Sequence, residues 1–397
     1  MAAGSAYRLS YVTESSFGNP SGTAFQILHG SLNAGGSLNR AQIQSQAIRS
    51  DRGMASTRFG SKKPALRYPF ELRYGAYEDF IASWNMSSWA AAASAISALT
   101  VTVVAGSTNT MAATGIGGTG GTLIAVGDWV KVSGFTGGYT ANNGYFKVTA
   151  RGADLLTFGQ AKDANGVSLL TAASSQSGIS VQRLGYNATG STKSYVAFEE
   201  AYTDVSIYKE WLGCMANTMS LAIQPDQIIT GEFGFIGKSL VGPAATTYTA
   251  STVAVSSALP MTGSDLTGVV AVDGTPVAIC TGVNFSGNNS GNYLNGVFAQ
   301  VPYGLTAGRS NLSGSMSLYV LDYAWYTKYL NETRFSLSLK LMDSGGTTGY
   351  GIEVPYCAIT AEPSENKTED NVVQNVSFQV EPSSTYGLVN WKWYKLA

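Results

Sequence analysis

The chain has 397 residues and a formal net charge of −1, and only 12% of its residues are charged. A near-neutral chain lacks the basic face that binds nucleic-acid phosphates tightly, so this class of function is excluded. Cys214, Cys280 and Cys357 are far apart and odd in number, so we expect reduced thiols rather than a disulfide framework or a zinc site. Low charge with abundant Gly, Ser, Thr and Asn is typical of a β-rich protein that buries much of its surface, as an oligomer does.

The first part of the chain predicts two strands and one long polar segment. Residues 7–27 contain a strand, a turn at FGNPSG and a returning strand. Residues 40–63 are polar and basic and have no sustained apolar face, so they predict a projecting hairpin or a long loop. Such loops are more often functional than accidental, although a merely solvated loop remains the alternative.

The next segment, LRYPFELRYGAYEDFIASW at residues 66–84, changes its apolar period from two to 3.6. Alternating apolar residues are followed by apolar residues at helical spacing: Leu66, Tyr68, Phe70 and Leu72, then Tyr77, Phe80 and Trp84. Because side chains alternate along a strand and recur every three or four residues along a helix, the segment predicts a strand that leads into a short helix.

Residues 96–184 have a different character. Short apolar runs such as WVKVS, YFKVTA and LLTFG are joined by Gly and Asn turns, which predicts a small β barrel or sandwich. The glycine run that starts at Gly115 lacks the Lys-Ser/Thr of a phosphate-binding loop and is explained by a turn. The uncharged run at residues 80–127 is rich in Ser, Thr and Gly, so we expect no membrane span there.

The strand-to-helix segment occurs a second time, because residues 312–330 align on residues 66–84 without gaps. Flanking similarities extend the repeat: TGVNFSGNNSGNYL resembles GSLNAGGSLNRAQI, the surroundings of Cys357 resemble those of Cys214, and QNVSFQVEPSS resembles ITGEFGFIGKS. The two segments lie 246 positions apart but the two cysteines only 143, so the first copy contains about 100 extra residues. That excess predicts an inserted domain.

The repeat and the insert together predict the domain organisation. The first domain is discontinuous and comprises residues 1–95 and 185–240, the insert is 96–184, a linker is 241–262, and the second domain is 263–397. Near the C-terminus, Trp391 and Trp393 lie on one face of a predicted terminal strand, which we expect to dock within the subunit or on a neighbour.

Charge is unevenly distributed between the two ends. Residues 1–90 carry nine basic and five acidic residues, whereas residues 241–397 carry seven basic and eleven acidic ones. Opposite signs at the two ends suit a subunit that docks onto copies of itself, although scattered solvated charge would look the same.

Candidate catalytic groups are few. His29 is the only histidine, and it ends a predicted strand without a partner motif, which favours a structural role. Glu199 and Glu200 are adjacent in a strand, so they point to opposite faces and are poorly placed to share a glycosidic site. The sequence contains no metal-ligand spacing, so we predict no catalytic, cofactor-binding or metal-binding residues and no enzyme activity.

Carbohydrate binding is the alternative function, as in an adhesin-type β protein of a phage or bacterial surface. Its candidate residues are aromatic and Asn side chains of the insert: Trp129, Tyr139, Asn142, Asn143 and Tyr145. Core packing and turn chemistry account for most of these residues equally well.

Four segments of the first copy resemble the major tail tube proteins of long, non-contractile-tailed bacteriophages, the siphophages. They are SYVTESSFGNPSG, HGSLNAGGSLNRAQIQSQAIRSDR, the strand-to-helix segment at residues 66–84, and WLGCMANTMSLAIQPDQIITGEFGFIGKS. The second copy is similar through its alignment to the first. The resemblance implies a mainly β fold with two tandem tube β-sandwich domains, each with a flanking short helix, and an inserted β domain on the tube exterior.

The resemblance also implies a function and partners. Curved sheets join into a ring with a central channel, and rings stack into the tube through which DNA is ejected. Expected partners are copies of the chain itself, the tape measure, the tail terminator and the tail tip, with DNA passing without specific binding and no cofactor. The expected location is the tail of the virion, and the host cytoplasm during assembly. Most such proteins have one tube domain and form hexamers, so two domains favour a trimer with pseudo-six-fold symmetry over a hexamer.

By the same resemblance, the loop at residues 40–63 is the arm that contacts the next ring. Its candidate stacking residues are polar or charged: Arg40, Gln42, Gln44, Arg49, Asp51, Arg52, Arg58, Lys62 and Lys63. The second copy has a shorter and less charged counterpart at residues 292–310, so we expect the contacts between rings to alternate in strength around the ring.

Overall fold

The computed structural model describes residues 6–20, 22, 24–30, 33–45, 56–106, 108–159, 169–265, 268–277, 279–366, 371–382 and 390–397. Most of the described residues lie in strands, so the predicted mainly β fold is confirmed. The described part contains two α-helices, α1 (Glu78–Asn85) and α2 (Ala324–Leu330), and each follows a strand where the sequence predicts it.

The strands before residue 260 form an N-terminal part and a barrel. In the sequence, the barrel strands are inserted between two segments of the N-terminal part. The N-terminal part contains α1 and β1 (Tyr7–Ser16), β2 (Asn19–Pro20), β3 (Ala24–Ile27), β4 (Gly35–Gln44) and β5 (Thr57–Glu71). The barrel contains β6 (Ile96–Val104), β7 (Thr110–Ala112), β8 (Trp129–Ser133), β9 (Gly144–Arg151), β10 (Leu155–Gly159) and β11 (Ala173–Arg183). The N-terminal part then continues with β12 (Tyr186–Ala188), β13 (Val196–Tyr202), β14 (Ile207–Ile223), β15 (Thr230–Ile236), β16 (Ser239–Ala244) and β17 (Ser251–Val253).

The C-terminal part contains α2 and the remaining strands. These are β18 (Val269–Val272), β19 (Thr275–Pro276), β20 (Cys280–Asn288), β21 (Asn292–Leu294), β22 (Gly304–Thr306), β23 (Asn311–Tyr319), β24 (Phe335–Met342), β25 (Gly349–Ile359), β26 (Ser364–Asn366), β27 (Val373–Val380) and β28 (Lys392–Leu396).

Strand β14 is 17 residues long and belongs to two sheets. Its first half pairs with β13 and β16, and its second half pairs with β15 and β20. The pairing with β20 is antiparallel, extends from Thr218–Asn288 to Ile223–Val283, and joins the N-terminal part directly to the C-terminal part. We call this pairing the internal joint. It makes one continuous sheet in the order β4, β5, β15, β14, β20, β23 and β27.

The pairing order of the N-terminal part recurs in the C-terminal part. In the N-terminal part β13 lies between β1 and β14, and in the C-terminal part β24 lies between β18 and β25 in the same way. Likewise β5 lies between β15 and β4, and β23 lies between β27 and β20. Residues that align in sequence occupy matching positions in the ladders: Gly36–Leu66 and Gly287–Leu312, Tyr68–Phe233 and Gly314–Phe378, Val196–Cys214 and Phe335–Cys357, Glu199–Glu210 and Ser338–Glu353.

The N-terminal and C-terminal parts share one hydrophobic core. A single cluster of buried residues extends from Leu9 to Trp393 and includes residues of both parts. Trp391 and Trp393 are fully buried, and their ring centroids lie 5.3 Å apart. The expected docking of the C-terminal strand within the subunit is therefore confirmed. All three cysteines are free, as predicted, and Cys214 and Cys357, which align in the two copies, are both buried.

The barrel is closed and has its own apolar core. It is also fixed to the C-terminal part by a smaller buried cluster, in which Trp129 and Tyr145 pack with Tyr394. Beside that cluster, the buried ammonium of Lys147 forms an ion pair with Glu353 and donates a hydrogen bond to Ser338 Oγ at 2.8 Å. Losing either charge would leave the other uncompensated away from water, so removal of one partner would destabilise this attachment of the barrel.

Residues 241–262, the predicted linker, lie against the N-terminal part. Strand β17 pairs with β3 in a parallel arrangement, and Pro260 forms a β-bridge with Arg73. The Arg73 guanidinium donates a hydrogen bond to the Ala258 carbonyl at 2.9 Å. This segment is therefore held by backbone contacts along much of its length.

Glu210 lies at the ladder position that Glu353 occupies in the C-terminal part, but without a matching lysine among its described contacts. Burial, together with the negative charges of Glu199 and Glu14, raises the pKa of Glu210 to about 7. In the unfolded chain its pKa is about 4.5. The folded state therefore binds a proton at Glu210 more tightly than the unfolded state does. As the pH rises from about 4.5 through about 7, the free energy of unfolding decreases because this proton is lost.

Two glycines at matching positions bring strands close to tryptophan rings. A Cβ added to Gly287 would lie 2.2 Å from the Trp84 ring, and one added to Gly36 would lie 2.2 Å from the Trp211 ring. By contrast, a Cβ on Gly282, which lies on the same strand as Gly287, would find nothing nearer than 3.6 Å. Only hydrogen fits at the two tryptophan contacts without movement of the ring.

We predict that Glu210→Gln reduces the loss of stability between pH 5 and pH 8 and raises the melting temperature above pH 7. The amide removes the charge that the buried site disfavours. Thermal unfolding across this pH range is the measurement, with exposed Glu362→Gln as the matched control. An unchanged pH profile in Glu210→Gln would contradict the assignment.

We predict that Gly287→Ala lowers the free energy of unfolding by about 1–3 kcal/mol, because the new methyl group overlaps the Trp84 ring. Gly282→Ala on the same strand should change it by less than about 0.5 kcal/mol. Urea unfolding followed by tryptophan fluorescence compares the two variants. Equal stability of the two would show that the Trp84 contact does not constrain the strand.

Candidate assembly surfaces

The distal half of the β4–β5 hairpin projects from the sheet. Residues 42–44 and 57–59 are exposed, including the apolar side chains of Ile43 and Phe59, which are 56% and 57% exposed. Nearer the body of the molecule, Leu66 and Tyr68 on β5 enter the core. The hairpin is thus anchored at one end and free to contact another molecule at the other.

Six of the nine predicted stacking residues lie on the described strands of this hairpin. Arg40 donates a hydrogen bond to the Gly60 carbonyl at 3.1 Å, and its guanidinium lies 5.3 Å from the centroid of the Phe59 ring. Gln42 lies opposite Phe59, Gln44 lies opposite Thr57, and Arg58 lies opposite Ile43. Arg49, Asp51 and Arg52 lie outside the described residues.

Lys62 and Lys63 lie beside a second hairpin, formed by β21 and β22. The Lys62 amide donates a hydrogen bond to the Gln300 carbonyl at 2.8 Å, and the Lys63 ammonium lies 6.0 Å from the Tyr293 ring centroid. The Tyr293 hydroxyl also donates to the Pro64 carbonyl. The long hairpin and its shorter counterpart therefore meet within one chain.

The tip of the β21–β22 hairpin carries exposed apolar side chains that sequence reasoning missed. Val297 and Tyr303 are each 86% exposed, and Phe298 is fully exposed with a φ of 64°. A left-handed backbone at a phenylalanine is uncommon, so the turn presents this ring at some conformational cost. The available signal was the consecutive apolar run VFA in NGVFAQVPYG, in a segment whose Asn, Gly and Pro residues predict a turn.

The two helices differ in burial. In α1, Phe80 and Trp84 are 0% and 2% exposed. In α2, Tyr326 and Leu330, which align with them, are 37% and 62% exposed, and no residue of the helix is buried. Two grooves flank α2, one of about 420 Å³ beside Leu330 and one of about 500 Å³ beside Tyr326. We call α2 and these grooves the α2 surface.

The candidate catalytic groups have structural contacts. The Tyr68 hydroxyl donates to the His29 carbonyl at 3.1 Å, and burial together with the Arg73 charge lowers the pKa of the His29 imidazole. Glu199 forms an ion pair with Arg8 at 2.9 Å and accepts a hydrogen bond from the Tyr248 amide at 2.6 Å.

Glu200 accepts a hydrogen bond from the Gly36 amide, and burial raises the pKa of its carboxyl. Glu199 and Glu200 are both buried and bond to different residues, so the structure does not bring them to a common open site.

The carbohydrate candidates do not form one exposed platform. Trp129 and Tyr145 are buried where the barrel meets the C-terminal part. Asn142 and Asn143 bond to backbone groups of Thr171 and Phe135, and Tyr139 packs against the barrel core. Packing and loop closure account for all five side chains.

The described residues also bear on membrane insertion and metal binding. No described helix is long and apolar enough to cross a membrane. No group of three or more His, Cys, Asp or Glu side chains in the described part lies close enough together to hold a metal ion.

Comparison with known proteins gives one result at family level. A sequence model of the family described as phage tail tube protein matches residues 4–380. No curated protein matches the chain. The family match includes the hairpin, both helices, the barrel and the internal joint, and it covers nearly the whole sequence. The chain therefore belongs to the phage tail tube protein family.

Proposed function

We propose that this structural tail protein assembles into stacked rings that form the tail tube of a siphophage and conduct DNA during ejection. The observation that carries this proposal is the internal joint, in which the edge strand of one sheet region pairs with the edge strand of the next. A unit that continues its sheet into a similar unit by antiparallel pairing has the property that a ring requires.

The proposal includes a duplicated tube domain. The first copy comprises residues 1–95 and 185–240 and the second residues 263–397, with 241–262 as the linker and 96–184 as an inserted exterior domain. Matching ladder positions, such as Gly36–Leu66 and Gly287–Leu312, support this division, because chance similarity does not preserve registers across several strands.

Ring closure follows if the internal joint is repeated between chains. β4 pairs with β5 and β26 pairs with β27, and these two strands end the continuous sheet at its two sides. β26 takes the place beside β27 that the second half of β14 takes beside β15. Pairing β26 of one chain with β4 of the next would cover both edges. Three chains would supply six domains, so a trimer is favoured over a hexamer.

The charges near the two edges are complementary. Arg40, Lys62 and Lys63 lie on the β4–β5 side, whereas Glu362 and Glu365 lie at β26. Opposite charges at the meeting edges favour this partner and orientation over like-to-like pairing of the same edge. The effect should weaken at high salt, since the side chains are near the surface.

The wider role follows from tube formation. The proposed partners are the tape measure, the tail terminator and the tail tip, and DNA passes through a near-neutral channel without specific binding. The proposed location is the tail of the virion, with assembly in the host cytoplasm. Tube formation requires no cofactor or catalytic residue.

We also propose that the distal β4–β5 hairpin contacts the next ring. Arg40, Gln42, Gln44, Arg49, Asp51, Arg52, Arg58, Lys62 and Lys63 are its proposed stacking residues. Exposed Ile43 and Phe59 add apolar area to a polar arm, a combination that suits a protein interface. The β21–β22 hairpin, with exposed Phe298, provides the alternating second contact in each chain.

We predict that replacing residues 43–58 with Asn-Gly leaves rings intact and prevents their stacking. Gln42 and Phe59 lie opposite each other, so a two-residue turn can close the shortened hairpin. Electron microscopy should show single rings where the parent protein forms tubes, and thermal unfolding controls for folding. Tubes of normal length from the shortened chain would contradict the stacking role.

A further inference from the structure

We propose that the α2 surface is the docking site for a second copy of this chain, which contributes β4 and the start of β16. This inference rests on the proposed ring assembly and specifies which surfaces meet between chains. It follows from the different environments of two helices at matching positions in the N-terminal and C-terminal parts.

Helix α1 is covered by the C-terminal part of its own chain. The Trp84 ring lies 5.2 Å from the Trp391 ring, centroid to centroid, in an edge-on arrangement. Gly287 of β20 lies directly against Trp84, and the Asn289 side chain donates to the Trp84 carbonyl at 2.7 Å. Trp391 also donates to the Asn85 side chain at 2.7 Å. The strand β20 that forms the internal joint therefore also helps to bury α1.

Helix α2 has no such cover among the described residues. Leu330 aligns with Trp84 but is 62% exposed, and Tyr323 at the start of the helix is 75% exposed. The groove of about 420 Å³ runs between Leu330 and Ile359 of β25, and the groove of about 500 Å³ runs between Tyr326 and Pro363. In the N-terminal part the corresponding space beside α1 holds β20 and Trp391.

The register of the strands identifies the residues that would fill these grooves. Gly36 of β4 matches Gly287 of β20, since each lies opposite the first leucine of an aligned segment. Val241 pairs with Glu210, and Lys392 pairs with Glu353, which is the residue aligned with Glu210. The residues just before them, Leu240 and Trp391, therefore occupy equivalent positions in the two parts. A neighbouring chain would therefore place Leu240 against Leu330, where Trp391 meets Trp84. Gly36 marks the register of β4, but its Cβ side is already covered by the Trp211 ring of its own chain.

Smaller side chains make this contact weaker than the internal one. A Leu330–Leu240 contact replaces the Trp84–Trp391 contact, and leucine buries less apolar area than tryptophan. Two joints of the same geometry but unequal strength suit a ring that assembles from stable chains. The chain keeps its internal joint under conditions in which neighbouring chains separate.

The first test is Leu330→Glu, with Leu123→Glu on the barrel as the matched control. Both leucines are exposed in the chain, at 62% and 40%, so neither change should prevent folding. Leu330→Glu should raise the protein concentration needed for ring formation by roughly tenfold or more, because a charge enters an apolar contact. Leu123→Glu should assemble like the parent protein, and equal melting temperatures confirm intact folds.

A cross-linking test identifies the partner surface. Leu330→Cys and Leu240→Cys are made singly and together, and assembled protein is treated with a short bis-maleimide. A mixture of the two single variants should give cross-linked dimers, and the double variant should give a closed ladder that ends at the ring size. Each single variant alone should remain uncross-linked at these positions.

The outcomes separate this inference from the function on which it rests. If Leu330→Glu forms rings normally, or if the two cysteines do not cross-link in assembled protein, the α2 surface is not the docking site. The proposed tube function would remain intact in either case. Failure of the parent protein to form rings at any concentration or salt tested would overturn both. Loss of rings in Leu330→Glu alone, with cross-linking between the two positions, would support the inference.

Discussion

The pairing of β14 with β20 is the contact on which the rest of the structure depends. It joins two similar sheet regions into one, covers helix α1 with Trp391, and merges the buried residues of both parts into a single cluster. A strand edge that pairs with another strand satisfies its backbone groups and no longer offers them to other proteins. Because the first half of β14 also pairs with β13 and β16, the same strand connects the joint to the second sheet.

This joint leaves the molecule unequal at its two ends. Within the chain, the C-terminal part covers the surface of the N-terminal part, but the α2 surface has no equivalent partner among the described residues. A closed set of such chains would cover every helix, whereas a single chain leaves one helix exposed. The low charge of the sequence is consistent with extensive burial in an assembly.

Local patterns predicted several elements correctly. The change of period at residues 66–84 and 312–330 predicted both strand-to-helix segments. The Gly-rich and Asn-rich turns predicted a small β barrel or sandwich, and the structure shows a closed barrel. The two tryptophans near the C-terminus predicted a docked strand, because such a tail rarely remains in water. In each case the signal lies within a few neighbouring residues.

Contacts between distant residues could not be predicted in this way. The pairing of Thr218 with Asn288 and the ion pair of Lys147 with Glu353 depend on tertiary placement, which neither propensity nor spacing encodes. Nor could the sequence distinguish the two helices. Phe80 and Tyr326 occupy the same position in the aligned segments, but Phe80 is buried and Tyr326 is exposed. The stacking residues are identified only as a polar loop, because their partner is another molecule.

The most direct test is cryo-electron microscopy of the assembled protein, resolved well enough to trace chains around one ring. The account predicts a hollow ring of three chains with six similar wall units, in which joints within chains alternate with joints between β26 and β4. A ring of six chains or a particle without a channel would contradict the account. So would a ring in which β4 does not meet the part of its neighbour that carries the α2 surface.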